Sequence, residues 1–218
     1  MKFGFIGAGQ IGGTLTRRLR ALGHEVAIAN SRGPETLAAL ADETGATAVT
    51  AEEAVKGRDV IVLTVPTKSV PGLKTLFDGV AQSALIIDTC NYYPKRRDGQ
   101  IAAIDQGMTE ARWVSTQIGH PVIKAFNNIN WTRLLNNARP KGDPARIAIP
   151  VAGDDAAAKA TVMAIIEELG FDAVDAGGLD DSWRQQPGQP AYGADLPAQG
   201  LRAALAEATE NRPAGFTG

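Results

Sequence analysis

Gly7-Ala8-Gly9-Gln10-Ile11-Gly12 spells G-x-G-x-x-G at the junction of an apolar run, Lys2–Ile6, and a stretch in which Ile11, Leu15, Leu19 and Leu22 recur at helical spacing. Glycines alone are common, but between a strand and a helix they carry a definite chemistry. Gly7 permits a tight turn. Gly9 lets the backbone approach a pyrophosphate, whose charge then meets the free N–H groups of a helix N-terminus. Gly12 permits close packing of helix on strand. Gly7 to Gly12 is therefore a candidate dinucleotide cradle, with Ala8, Gln10 and Ile11 as its intervening contacts.

About 20 residues further on, where such a cradle's partner strand reads the adenosine ribose, stand Asn30, Ser31 and Arg32. A carboxylate at the first position would bond the ribose 2′-hydroxyl and repel a 2′-phosphate. The neutral amide of Asn30 removes that repulsion. Ser31 adds a hydroxyl donor, and Arg32 a guanidinium fork suited to phosphate. Gly33 frees the backbone before a helix opening at Pro34. The stretch asks for NADP(H) over NAD(H).

Positioning these residues requires strands alternating with helices, and the sequence supplies them. Strands are expected at Glu25–Ala29, Thr47–Val49, Asp59–Val65, Ala84–Asp88 and Pro121–Phe126. Helices fall between them: Pro34 to about Thr44, Ala51–Lys56, Leu73–Val80, and somewhere within 101–118. The alternation predicts an α/β fold, a doubly wound parallel sheet covered on both faces. The C-terminal third predicts a strand at Ala145–Val151, a helix at Asp155–Leu169 and a strand at Phe171–Ala176. An irregular stretch rich in glycine and proline over 177–200 follows, expected to lie outside the core. A last helix at Pro197–Thr209 carries Leu201, Ala204, Leu205 and Ala208 on one face. The segment Asn136–Pro144 is the expected hinge, dividing a dinucleotide-binding domain (1–135) from a small α/β lobe (136–218).

Ligands in open α/β sheets lie beyond the carboxyl ends of the strands. That places Thr64, Val65, Pro66 and Thr67 near the cofactor, with Asp88–Asn91 after the next strand. Ala125, Phe126, Asn127 and Asn128, at the sixth strand's exit, are expected to face the nicotinamide. Acid–base candidates are few. His24 and His120 sit at element boundaries and read as structural. Lys124 falls within a strand, Asp154-Asp155 reads as a helix start, and Lys95-Arg96-Arg97 as an exposed basic loop. Cys90, the single cysteine, leaves no disulfide and no thiolate cage, and no metal site is expected. No catalytic residue is assigned. A hydride passed between two redox cofactors needs stacked rings and water exclusion more than a proton-transfer group.

Bulk properties agree. The 218 residues carry a net charge of −2, giving no reason to expect nucleic acid or an anionic membrane as partner. No apolar stretch approaches the ~20 residues that span a bilayer. MKFGFIGAGQIGG reads as a strand entering a glycine turn rather than a signal peptide, and the expected location is a reducing cytoplasm.

The sequence resembles the NADPH-dependent oxidoreductases of coenzyme F420, a 5-deazaflavin. The likeness rests on FIGAGQIGGTLTRRLRALGHEV, ANSRGPETL, IIDTCNYYP, VIKAFNNI and IPVAGDDAAAKATVMAIIEELGFDAVDAGGL, in the family's order up to about residue 179. It implies a Rossmann domain with a small C-terminal lobe, usually a homodimer, with NADP(H) across Gly7–Gly12 and its 2′-phosphate at Ser31 and Arg32. The co-substrate would be a deazaflavin stacked on the nicotinamide between the lobes. Two departures bear on that co-substrate: archaeal members that use the deazaflavin have a histidine where Asn127 aligns, and Asp180–Gly193 diverges. A flavin, a ferric chelate, an imine or a carbonyl is the alternative small-molecule acceptor, and a non-catalytic NADP(H)-binding module is the alternative of another class.

Overall fold

The computed structural model describes residues 1–210 and 214–216. Its elements run β1 (Lys2–Ile6), α1 (Gln10–Ala21), β2 (Glu25–Ala29), α2 (Ala38–Thr44), β3 (Thr47–Ala48), α3 (Ala51–Val55), β4 (Val60–Leu63), α4 (Lys74–Phe77) and β5 (Leu85–Asp88). There follow α5 (Ala102–Asp105), α6 (Glu110–Ile118), β6 (Ile123–Lys124), α7 (Trp131–Asn136), β7 (Ala148–Val151), α8 (Ala156–Glu168), β8 (Asp172–Asp175) and α9 (Ala198–Ala206). Six strands form one parallel sheet in the order β3-β2-β1-β4-β5-β6. The order reverses direction between β1 and β4, which opens a crevice at their carboxyl ends. The fold is the doubly wound α/β sheet expected from the alternation.

Side chains alternate across this sheet with the period of two that a strand imposes. Phe3 and Phe5 of β1, with Val60 and Val62 of β4, enter a core beneath α1, where Leu15 and Leu19 meet them. Ile6, Ile61 and Leu63 face the other way, onto Val55, Phe77 and Val114 of α3, α4 and α6. The second sheet is a parallel pair, β7 and β8. Its Ile149 and Val151 join the first core together with Val162 and Ile166 of α8. Leu201, Ala204 and Leu205 of α9 cover its other face, so this helix packs on its own chain. An antiparallel bridge, Lys124 to Ala152, links the two sheets.

Several expectations needed correction. The expected strand Pro121–Phe126 shrinks to β6, because Phe126 adopts a left-handed conformation (φ 60°) that an extended ladder does not contain. The region 101–118 is two helices, parted at Gly107 (φ 108°), with the Thr109 side chain capping the second. Ahead of α4 the chain makes a 3₁₀ run, Thr67–Leu73, with Pro71 inside it. The stretch 177–200 is irregular as expected, yet it is not peripheral. Ser182, Gln185, Gln186, Gln189 and Ala191 are buried in it, their backbone following a 3₁₀ run at Leu179–Gln185 and tight turns.

Candidate functional site

The glycine turn is built from three different constraints. Gly7 sits at φ 110°, and a Cβ on it would lie 2.4 Å from the Thr64 carbonyl oxygen. A Cβ on Gly12 would lie 2.2 Å from the Gly7 carbonyl and 2.6 Å from Thr64 Oγ1. The Thr64 hydroxyl donates to the Gly7 carbonyl at 2.6 Å, tying the exit of β4 to the turn. Gly9 is different: it is the N-cap of α1, and nothing lies within 4 Å of where its Cβ would be. Its neighbours Ala8 and Ile11 are half-buried while Gln10 is exposed. The first turn of α1 carries no acidic side chain, so its N–H groups face this space unopposed.

Asn30 shapes the next loop. Its Oδ1 accepts the Arg32 N–H at 2.9 Å and its Nδ2 donates to Thr36 Oγ1 at 2.9 Å, an Asx turn that holds Ser31 and Arg32 outward. Both are exposed. Arg32 and Gly9 line one cleft of about 410 Å³, together with Gly13, Arg17, Thr36 and Trp131. Glycine turn and arginine, 20 residues apart in sequence, thus meet in space. Arg17, Thr36, Glu43 and Trp131 also line this cleft and were missed from sequence. A signal existed for Arg17: it lies one helical turn after Gly13, on the same face of α1.

At the carboxyl ends of β4, β5 and β6 the predicted residues take other roles. Thr64, Val65 and Pro66 are half-buried, and the Thr67 hydroxyl donates to the Asn91 carbonyl. Ala125, Phe126 and Asn127 are buried, and none of the three lines the cleft of Gly9 and Arg32. Asn127 Nδ2 donates to the Gln185 carbonyl at 2.8 Å, and its Oδ1 accepts from Gln185 Nε2 at 2.8 Å. Asn91 Nδ2 donates to the Asn127 carbonyl at 2.9 Å. This amide network joins the exits of β5 and β6 to the irregular C-terminal stretch.

Beneath it lies an ion pair that sequence reasoning passed over. Lys124 Nζ and Asp88 Oδ2 are 2.9 Å apart, both side chains fully buried, and the ammonium also donates to the Cys90 carbonyl. Burial pulls the Lys124 ammonium down, but Asp88 and Glu110 outweigh it and leave it above its ordinary value. The sequence places Lys124 within a strand and shows no partner for it; the buried carboxylate of Asp88 is that partner. Cys90 is buried, and desolvation followed by the Asp88 charge raises its thiol well above the usual range, so it is no nucleophile.

Several other polar residues have partners within the fold. His24 Nε2 meets Glu168 at 3.1 Å, and His120 Nε2 bonds the Phe77 carbonyl. Asp155 caps α8, while Asp154 accepts from the Leu179 N–H and from Arg112. Lys95, Arg96 and Arg97 are exposed, with both guanidinium groups over the Tyr93 ring at 5.6 and 5.3 Å. The hydroxyls of Tyr93 and Tyr192 are hydrogen-bonded to each other. Burial, then the Tyr93 contact, pushes the Tyr192 phenol up, so it stays protonated at neutral pH. Among the described residues, no group of three or more His, Cys, Asp or Glu side chains could hold a metal ion, and no helix is long and apolar enough to cross a membrane.

Residues 2–92 match the family described as NADP oxidoreductase, coenzyme F420-dependent. The hypothetical protein SMa0349 of Sinorhizobium meliloti superposes with a TM-score of 0.74 at 30% identity, over 88% of this chain and 93% of that one. A protein of Arthrobacter sp. FB24, provisionally described as an F420-dependent NADP-reductase, superposes with a TM-score of 0.67 at 22% identity, over 82% and 86% of the two chains. YjhV of Escherichia coli K12 is 43% identical over 63 residues, 29% of this chain; the match spans less than half of that protein, 46% of its length. Family, sheet order and glycine turn define the class, an NADP-dependent oxidoreductase of Rossmann fold. Within that class, residues 2–92 carry the domain of the coenzyme F420-dependent NADP oxidoreductase family.

Proposed function

We propose that the chain transfers hydride between NADP(H) and a small redox co-substrate of deazaflavin or flavin type. The observation that carries the cofactor half is the cleft shared by Gly9 and Arg32, open above the glycine and lined by an arginine that makes no ion pair among the described residues. The residues present suit the group. Gly9 and the first N–H groups of α1 would hold the pyrophosphate, with Gly7, Ala8, Gln10, Ile11 and Gly12 forming the cradle. Ser31 and Arg32 would hold the 2′-phosphate on the loop that Asn30 fixes. Thr64, Val65 and Pro66, with Ala125, Phe126 and Asn127 behind them, would flank the nicotinamide end. When bound, NADPH supplies the hydride from its nicotinamide ring. The chain's own residues contribute orientation and water exclusion, since the exits of β5 and β6 are braced by the Asn91–Asn127–Gln185 network.

A second reading, reduction of a carbonyl or imine, is favoured by the Tyr93–Tyr192 pair. A phenolic hydroxyl can donate a proton to a developing alkoxide or amine, and burial, by raising the Tyr192 phenol, makes it a weaker donor. The test is a rate assay with NADPH, then NADH, against coenzyme F420, following loss of the deazaflavin absorbance. Rapid reduction with NADPH and little with NADH is the expected result. Tight NADPH binding without deazaflavin turnover would overturn the acceptor and leave the cofactor; flavins, ferric chelates and small carbonyls are the acceptors to try next.

A further inference from the structure

Arg17 and Glu43 both line the cleft of Gly9 and Arg32, one from α1 and one from α2. Glu43 grips the arginine side-on, Oε1 to Nε at 2.6 Å and Oε2 to Nη2 at 2.7 Å. Among the described residues, that leaves Nη1 as the unclaimed end of the fork. Its position is fixed by a neighbour: a Cβ on Gly13 would lie 3.3 Å from it, so the guanidinium reaches back along α1 toward the glycine turn. Side chains of a helix tilt toward its N-terminus, and Glu43 holds this one there. Arg17 and Glu43 are 37% and 51% exposed, and an ion pair that open to solvent adds little stability. Its evident effect is to aim one N–H pair of a permanently charged group into the cleft. Arg32 enters the same cleft from the β2 loop. Two guanidinium groups against one carboxylate leave the cleft positive, the condition for a dianionic guest.

We infer that Arg17, aimed by Glu43, is a second specificity-determining cation for the phosphate monoester of NADP(H), acting with Arg32 on the 2′-phosphate. This rests on the NADP(H) reading above and extends it to a residue outside the β2 loop. The bland reading is a staple between α1 and α2, and the two differ in what they predict.

The experiment compares NADPH and NADH affinities, by nucleotide fluorescence titration, in wild type, Arg17→Met, Glu43→Gln and Arg32→Ala. Arg17→Met is expected to weaken NADPH about tenfold while leaving NADH within about twofold, the loss of one charge-assisted contact to phosphate. Glu43→Gln breaks the staple but keeps the Arg17 charge, so most of the NADPH preference is expected to survive it. Equal losses for both nucleotides in Arg17→Met and Glu43→Gln would overturn the proposal in favour of the staple. A preference untouched by Arg17→Met yet abolished by Arg32→Ala would overturn it while leaving the cofactor reading intact. A wild type that binds NADH as tightly as NADPH would overturn the cofactor reading itself, and the Arg17 proposal with it.

Discussion

A single methyl group placed at Gly9 or at Gly12, three residues apart, should have opposite consequences. In Gly12→Ala the new carbon arrives 2.2 Å from the Gly7 carbonyl and 2.6 Å from Thr64 Oγ1. Neither is the loose end of a side chain: one is backbone, and the other is hydrogen-bonded to it. To restore ordinary contact α1 must withdraw by roughly 1 Å, loosening Leu15 and Leu19 from the core. Overpacking of this kind costs about 1–3 kcal/mol, and loss of the Thr64–Gly7 bond adds about 1 kcal/mol. For a chain of this length that corresponds to a fall in Tm of roughly 5–15 °C. In Gly9→Ala the carbon meets nothing within 4 Å, and the backbone (φ −73°) suits alanine. The poorer N-cap costs under about 1 kcal/mol, offset by about 0.4–1 kcal/mol from the stiffer unfolded chain. Its Tm should stay within about 3 °C of wild type. The methyl does, however, occupy the space where the pyrophosphate would approach. With NADPH at 100 times the wild-type Kd, wild type should gain about 2.7 kcal/mol of stability, and a variant binding 100-fold more weakly only about 0.4 kcal/mol. Calorimetric melting with and without NADPH measures both effects. A Gly9→Ala protein destabilised as much as Gly12→Ala, or one still stabilised fully by NADPH, would refute the division of roles between the glycines.

Three further outcomes are expected. Lys124→Met strands the Asp88 carboxylate in the interior and should cost about 3–5 kcal/mol in urea unfolding, with Asp88→Asn in the same chain recovering part of it; no recovery would mean that the pair is not the unit. Asp154 is held below the ordinary carboxylate value of about 3.9 by the Leu179 N–H, against burial and with help from Arg112. Its stabilisation is therefore complete above that value and lost as pH falls through the lower folded one, so Asp154→Asn should flatten the decline of the urea midpoint below about pH 4. Cys90, buried with a raised thiol pKa, should resist alkylation in the native protein and react once unfolded, as mass spectrometry of iodoacetamide-treated samples will show.

What the sequence made legible was local. Glycine spacing against a strand and a helix marks the turn, and DVIVLTV marks a strand buried on both faces, because each reports the conformation of its own segment. Arg32 was readable because its place follows from the fold's connectivity. Lys124 was not, since its meaning lies in Asp88, 36 residues earlier in the chain. Glycine and proline in 177–200 announced an irregular backbone correctly, but irregularity says nothing of depth. Two of the buried glutamines there find distant partners, Gln185 in Asn127 and Gln189 in Thr209. The left-handed Phe126 has no local signature at all, since its conformation is imposed by the packing around it.

Ile123, Ile129 and Leu134 share one apolar cluster with Ile147, Ile149 and Phe171, so the C-terminal third is no detachable cartridge. Cut free, the first 135 residues would carry a bared floor of aliphatic side chains into water, a surface prone to self-association. Exchanging the lobe between homologues means matching a jigsaw seam rather than splicing a linker. The irregular stretch is a softer target. The Gln185 carbonyl and the Gly193 N–H meet Asn127 and Asn128, contacts that a redesigned loop can reproduce from its backbone. Laboratory evolution of such a chain should therefore tolerate new loops over 177–196 long before it tolerates a new lobe.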